Sequence, residues 1–122
     1  MKNNILIYID NELSNPCFFD FLKKISIDDV LDSRDTDPFD ALWMENFNRL
    51  EVITFSKEEV EFINRLREKS FKNAFRVIND SEISSRISDD IELIAKDMLI
   101  GNVNEWPVTN LWASYKKGEF PI

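Results

Sequence analysis

The sequence predicts a mostly α-helical, compact single domain over residues 1–122, with about six helices around a long central helix. Three observations lead to this fold class. Residues 56–80 carry the longest uninterrupted run of helical periodicity in the chain. An Asn or Asp followed directly by Pro, which is typical of a helix start, stands before two other apolar stripes. Only two short runs resemble β-strands, and 122 residues suit one hydrophobic core.

The first strand-like run lies near the N-terminus. Residues 5–9, Ile-Leu-Ile-Tyr-Ile, are rich in β-branched side chains and lie between turn-forming residues, a pattern typical of a buried strand. A strand needs a partner for its backbone groups, and residues 52–55 are the other strand-like run. We therefore expect either a short pairing between these two runs or a helical turn over residues 5–9.

Three helices are predicted between these two runs. Asn15-Pro16 combines an N-cap residue with proline at the first helical position, and the apolar spacing predicts a helix over residues 15–25. A second, short helix is predicted over residues 26–31. Asp37-Pro38 repeats the cap-and-proline signal and begins a third helix over residues 37–50.

The long central helix is predicted over residues 56–80. Ser56 and Glu59 form a capping box at its start, and Phe55 with Val60 forms a hydrophobic staple. Projection at about 100° per residue separates a polar face from a broad apolar sector. That sector is too wide for a seam between two helices, so we expect neighbours on both sides.

Two more helices are predicted after the central one. Residues 80–88 are polar and serine-rich, so we expect a loop or a single helical turn there. The next helix begins at the end of this stretch and ends before Gly101. The last helix begins at Trp106-Pro107 and ends before Gly118.

The composition argues against an enzyme. The chain has no histidine, so it lacks the commonest general base, the serine-type triad and most transition-metal sites. Its two glycines leave no glycine-rich phosphate loop. Cys17 is the single cysteine, which excludes an internal disulfide, and its phenylalanine neighbours predict a buried small hydrophobic side chain. We expect no catalytic residue, no metal and no cofactor.

The sequence also predicts a soluble cytoplasmic protein without a membrane partner. No apolar run approaches the roughly 18–20 residues of a membrane span. At the N-terminus, Lys2 is followed only by the short apolar run of residues 5–9, with no small-residue cleavage site after it, so a secretory signal is not expected.

The negative charge is concentrated in one segment. The formal net charge is −8, from 23 acidic and 15 basic residues. Residues 27–51 contain eight acids and two bases, which gives 2 − 8 = −6, or three quarters of the total. So acidic a chain is unsuited to direct binding of nucleic acid.

Clustered carboxylates steer encounter with a surface rich in Lys and Arg, and nuclease active sites are such surfaces. Trp106 follows a polar stretch at a helix start and is the tryptophan with the strongest expectation of exposure, whereas Trp43, Trp112 and Tyr115 fit inner faces. The candidate binding residues are Asp28, Asp29, Asp32, Asp35, Asp37, Asp40, Glu45 and Trp106.

Other interpretations of the acidic segment stay open. The carboxylates between Asp28 and Asp40 could serve a metal-dependent hydrolase, although their spacing fits no EF-hand loop. The chain could also be an acidic helical adaptor or a DNA mimic. Several of these carboxylates fall in first turns of predicted helices, where the helix N-terminus stabilises them without any binding role.

The C-terminal third resembles a known family. The run SDDIELIAKDMLIGNVNEWPVTNLWASYKKGEFPI, residues 88–122, contains Gly101, Trp106, Leu111-Trp112-x-x-Tyr115 and Gly118-Glu119-x-Pro121. It resembles small immunity proteins of bacterial contact-dependent growth inhibition and related polymorphic toxin systems. The resemblance implies a cytoplasmic protein that binds the toxin domain of its own cell's system and blocks it, and we expect the complex to be 1:1. Many of these toxins are nucleases, and the resemblance carries over no catalytic residue.

Overall fold

A computed structural model describes the backbone of residues 2–122 and the side chains of residues 4–122. This part of the chain contains six α-helices and no strand, which confirms the mostly α fold class. A short 3-10 helix lies at Asp20–Lys24, and a π-helix at Pro107–Trp112. The α-helices are α1 (Lys2–Leu13), α2 (Ile27–Arg34), α3 (Phe39–Glu51), α4 (Lys57–Ile78), α5 (Ser81–Leu99) and α6 (Ala113–Lys116). No helix among the described residues is both long and apolar enough to cross a membrane.

The predicted N-terminal strand is wrong, because residues 5–9 lie inside α1. Leu6, Ile9 and Leu13 recur at helical spacing and are fully buried. Residues 52–55 form a turn, a bend and an irregular link into α4. A helix satisfies its backbone groups internally, whereas a lone strand would have left them unpaired in the core. Of the two alternatives, the helical one is therefore closer to the structure.

The helix predicted over residues 15–25 is replaced by turns and the 3-10 helix. The Asn15 side chain accepts a hydrogen bond from the Cys17 amide at 2.9 Å. The next bonds, Phe18 N–H to the Asn15 carbonyl and Asp20 N–H to the Cys17 carbonyl, each span three residues. Cys17 is exposed, contrary to the prediction, because Phe18 and Phe19 take the positions that face the core.

The long helix is confirmed at its predicted position. Ser56 Oγ accepts a hydrogen bond from the Glu59 amide at 3.1 Å, and the Glu59 carboxylate accepts one from the Ser56 amide at 2.8 Å. The helix ends at Ile78, and its C-cap residue Asn79 has a φ of 52°, in the left-handed region that Asn tolerates better than most residues. This turn brings the chain directly into α5.

Residues 81–88 are helical, so the expected loop is absent. Asp80 is the N-cap of α5, and its side chain accepts a hydrogen bond from the Ile83 amide at 2.9 Å. Ile83 and Ile87 are fully buried and extend the apolar stripe that Ile91 continues. The tertiary burial of these isoleucines outweighs the polar character of the serines around them.

The most buried element is α5, with twelve buried residues against four in the longer α4. The helices α1, α3 and α4 and the π-helix all pack against α5. Trp112 and Tyr115 lie in the core as predicted, and Trp43 is half-buried and stacked on Phe47. The core is therefore built around α5, and α2 and α3 cover one side of it.

Candidate functional site

The predicted acidic residues lie on α2, on the turn after it and on the first half of α3. All seven of their side chains are exposed. We call this set the acidic surface; its members are Asp28, Asp29, Asp32, Asp35, Asp37, Asp40 and Glu45.

Arg34, the first of the two bases in this segment, points inward from the end of α2. It donates two hydrogen bonds to the Asp90 carboxylate on α5, at 2.9 and 2.7 Å. Trp43 Nε1 donates to the same carboxylate at 2.9 Å, and the Tyr115 hydroxyl donates at 2.6 Å. Arg34 is 3% exposed and Asp90 is 0% exposed. One buried carboxylate thus joins α2, α3, α5 and α6.

Two aromatic rings complete the environment of Arg34. Its guanidinium carbon lies 4.5 Å from the centroid of the Phe39 ring and 5.2 Å from that of Phe120. Burial by itself would lower the pKa of Arg34, but the adjacent Asp90 carboxylate outweighs it and raises that pKa. Burial, and then the Asp90 charge, raises the pKa of the Tyr115 hydroxyl well above its usual value. The network therefore consists of a charged Arg34, an acceptor carboxylate and a neutral Tyr115.

Arg49, the second base of residues 27–51, forms a similar pair with a buried aspartate from near the end of α3. It donates to both oxygens of Asp97 on α5, at 2.8 and 2.7 Å, and to the Asn46 side chain at 2.8 Å. The hydrogen bond to Asp97 is the main cause of a raised Arg49 pKa. Asp97 is fully buried and lies two helical turns after Asp90.

The two bidentate pairs change the charge that the segment presents to solvent. Both of its bases are neutralised from inside the molecule, by aspartates of α5. Asp35 is the one member of the acidic surface with an ion pair in the described part of the chain, to Arg86 at 2.8 Å. That hydrogen bond lowers the pKa of the Asp35 carboxyl. The other six carboxylates are exposed and form no ion pair among the described residues.

A groove of about 670 Å³ borders the acidic surface. It brings together three of the candidate residues, namely Asp32, Asp37 and Trp106. Trp106 is half-buried rather than exposed, and its ring packs edge-on against Phe39 with a centroid distance of 5.1 Å. The groove is lined by Asp32, Ser33, Thr36, Asp37, Pro38, Phe39, Leu42, Trp106, Asn110, Ser114, Pro121 and Ile122.

The remaining candidates lie elsewhere. Asp35 and Asp40 border a smaller cavity of about 300 Å³, together with Arg86 and Asp89. Burial raises the pKa of the Asp89 carboxyl there. Asp28, Asp29 and Glu45 line neither cavity. The candidate set is thus one exposed face, of which only a part surrounds a concave site.

The carboxylates of the acidic surface are spread over an exposed face. Among the described residues, no group of three or more acidic or cysteine side chains is arranged to hold a metal ion. The carboxylates of the acidic surface face solvent instead of converging. Such a face attracts and orients a positively charged partner.

Sequence reasoning missed the four residues that hold this face in place, and one signal could have found them. Ile83, Ile87, Asp90, Ile94 and Asp97 are spaced by four, three, four and three residues, so both aspartates lie on the apolar stripe of α5. A buried aspartate requires a cationic partner. Two bases in an otherwise acidic segment, Arg34 and Arg49, are the natural candidates.

Comparison with known proteins identifies the family. No curated protein matches the chain. The family profile described as "Immunity protein PIM1" matches residues 8–122, which is almost the full length, and it confirms the predicted resemblance to immunity proteins. The chain therefore belongs to the immunity protein PIM1 family, as an immunity protein of a polymorphic toxin system whose general role is to bind and neutralise a cognate toxin.

Proposed function

We propose that this protein neutralises a nuclease toxin by covering its cationic active site with the acidic surface. The complex is 1:1 and forms in the cytoplasm of the cell that carries the toxin, within a contact-dependent growth inhibition system. The protein performs no catalysis and needs no cofactor. The family supplies the toxin-neutralising role, and the acidic surface supports the choice of a nuclease.

The observation that carries the proposal is the sequestration of both bases of the acidic segment. Arg34 and Arg49 are held by Asp90 and Asp97, so neither one offsets the exposed carboxylates beside it. A nuclease binds phosphate groups through Lys and Arg, and exposed carboxylates are complementary to that charge.

Electrostatic complementarity also fits the task of an inhibitor. Opposite charge raises the association rate above the roughly 10⁵–10⁶ M⁻¹s⁻¹ of a neutral pair. A toxin must be captured before it reaches its substrate, so fast association is useful. The Arg34–Asp90 and Arg49–Asp97 pairs connect α2 and α3 to α5, which favours a fixed arrangement of the carboxylates before the partner arrives.

The metal-dependent hydrolase receives no support from this arrangement. That mechanism needs several oxygen ligands around one ion. Within residues 4–122 no such group is formed. The carboxylates between Asp28 and Asp40 are instead distributed over an exposed face.

The proposal is tested by mixing the purified protein with the toxin domain encoded by the neighbouring gene. We expect a stable 1:1 complex by size-exclusion chromatography with light scattering, and loss of the toxin's nuclease activity at equimolar inhibitor. A toxin that binds but has no nuclease activity would refute the nuclease assignment. Absence of both binding and protection of cells would refute the neutralising role for this pair.

A further inference from the structure

We propose that the groove beside the acidic surface receives an arginine side chain of the toxin. This inference rests on the proposed function and adds to it a defined contact. The groove runs between α2 and α3 on one side and the π-helix and α6 on the other. Its volume of about 670 Å³ lies within the roughly 300–1,000 Å³ typical of ligand sites.

Two carboxylates of the groove are available to a cation. Asp32 is exposed and makes no ion pair among the described residues. Asp37 accepts a hydrogen bond from the Ala41 amide through Oδ1 at 3.1 Å, and its other oxygen stays available. Arg34 is the one base between them in the sequence, and its charge is already paired with Asp90.

The apolar part of the groove favours arginine over lysine. Trp106, which is half-buried and packs edge-on against the buried Phe39 ring with a centroid distance of 5.1 Å, provides aromatic surface next to the carboxylates. A guanidinium is planar, stacks on aromatic rings and pairs with carboxylates through two parallel hydrogen bonds, whereas a lysine ammonium is a strongly hydrated point charge.

The protein's own interior shows the same recognition. Arg34 lies against the Phe39 and Phe120 rings while it donates two hydrogen bonds to Asp90. The groove offers the equivalent elements on its open side, namely aromatic surface and carboxylates. An arginine from a partner would therefore find an environment that this fold already uses for its own.

A cation bound in a groove mainly affects the dissociation rate, whereas a cation attracted by an open surface mainly affects the association rate. Loss of a rim charge mainly slows association, while loss of one partner of a desolvated charge pair mainly speeds dissociation. The test therefore compares two pairs of exposed aspartates on neighbouring parts of the chain. The groove variant is Asp32→Asn/Asp37→Asn, and the matched control is Asp28→Asn/Asp29→Asn, outside the groove.

Association and dissociation rates with the toxin are measured by biolayer interferometry. We expect the groove variant to dissociate about tenfold faster than the wild type, and the control to change its dissociation rate by less than about threefold. Asn at position 37 keeps the acceptor for the Ala41 amide, and circular dichroism verifies that both variants fold. Trp106→Leu, which keeps an apolar side chain but removes the ring, is expected to speed dissociation as well.

Equal changes in dissociation for the groove variant and the control would overturn the groove contact and leave the proposed function intact. Failure of the wild-type protein to bind would instead refute the proposed function.

The identity of the occupant is tested by changing each exposed arginine of the toxin to lysine. We expect one such change to speed dissociation about tenfold from the wild-type protein and less than about threefold from the groove variant. If every arginine change has the same effect on both proteins, the occupant is not an arginine.

Discussion

At the scale of single residues, Asp90 is a buried carboxylate that depends on hydrogen-bond donors from three other helices. It is fully buried and accepts four hydrogen bonds, two of them from Arg34. A buried ion pair adds little net stability compared with a hydrophobic pair, but the removal of one partner is costly because the other charge stays buried. Arg34 and Asp90 therefore depend on each other, since the loss of either one leaves the other buried without its partner.

This argument predicts that Arg34→Met strongly destabilises the fold. The expected loss is about 3–5 kcal/mol in the free energy of unfolding, because Asp90 would stay buried without its cationic partner. Urea denaturation followed by circular dichroism measures it. Lys72→Met is the control, since Lys72 pairs with Glu68 on the exposed face of α4 and should cost at most about 0.5 kcal/mol. Equal losses for the two variants would contradict the role of the buried pair.

The exposed pair of Asp35 and Arg86 predicts a dependence on pH. The hydrogen bond from Arg86 lowers the pKa of Asp35 below its ordinary value of 3.8, so the unfolded state binds a proton more readily than the folded state. The contribution of Asp35 to stability is thus present above about pH 4 and is lost as the pH falls through the folded pKa. We expect Asp35→Asn to lower stability near pH 7, with a difference from wild type that shrinks on acidification. Urea denaturation at several pH values measures it, and a constant difference would show that the pair does not contribute.

At the scale of the elements, signals at the helix starts predicted α3 and α4 correctly, but the same kind of signal at Asn15-Pro16 is not followed by an α-helix. The capping box of Ser56 and Glu59 begins α4 as expected, and Gly118 follows α6 with a φ of 76°. Prediction failed where tertiary packing outweighs local composition. The serine-rich start of α5 is helical because Ile83 and Ile87 are buried, and residues 5–9 form a helix because no second strand is available.

The start of α5 gives a prediction at this scale. Asp80 caps this helix, so Asp80→Ala should cost about 0.5–2 kcal/mol in the free energy of unfolding. Ser81→Ala, one residue later at an exposed position, should stay within about 0.5 kcal/mol. Thermal and urea denaturation compare the two. A similar cost for both would mean that the side-chain cap does not fix the beginning of α5.

At the scale of the whole molecule, the separation of charge could be predicted only in part. The excess of acids in residues 27–51 is visible in the sequence, and the seven candidate carboxylates are all exposed. Arg34 and Arg49 pair with residues of α5 that lie 56 and 48 positions later in the sequence, so no local pattern indicates these pairs. The groove is likewise beyond local patterns, because it joins α2 and α3 to Trp106 and the last residues of the chain.

The most direct measurement for the acidic surface is the association rate with the toxin domain at low and moderate salt. The two variants to compare are Asp32→Lys/Glu45→Lys on the acidic surface and Glu61→Lys/Glu68→Lys on the exposed face of α4, which change the net charge equally. If the acidic surface binds the toxin, the first variant should associate about tenfold more slowly than the wild type and lose most of its salt dependence, while the second changes by less than about threefold. Equal slowing by both variants would show that the toxin binds elsewhere.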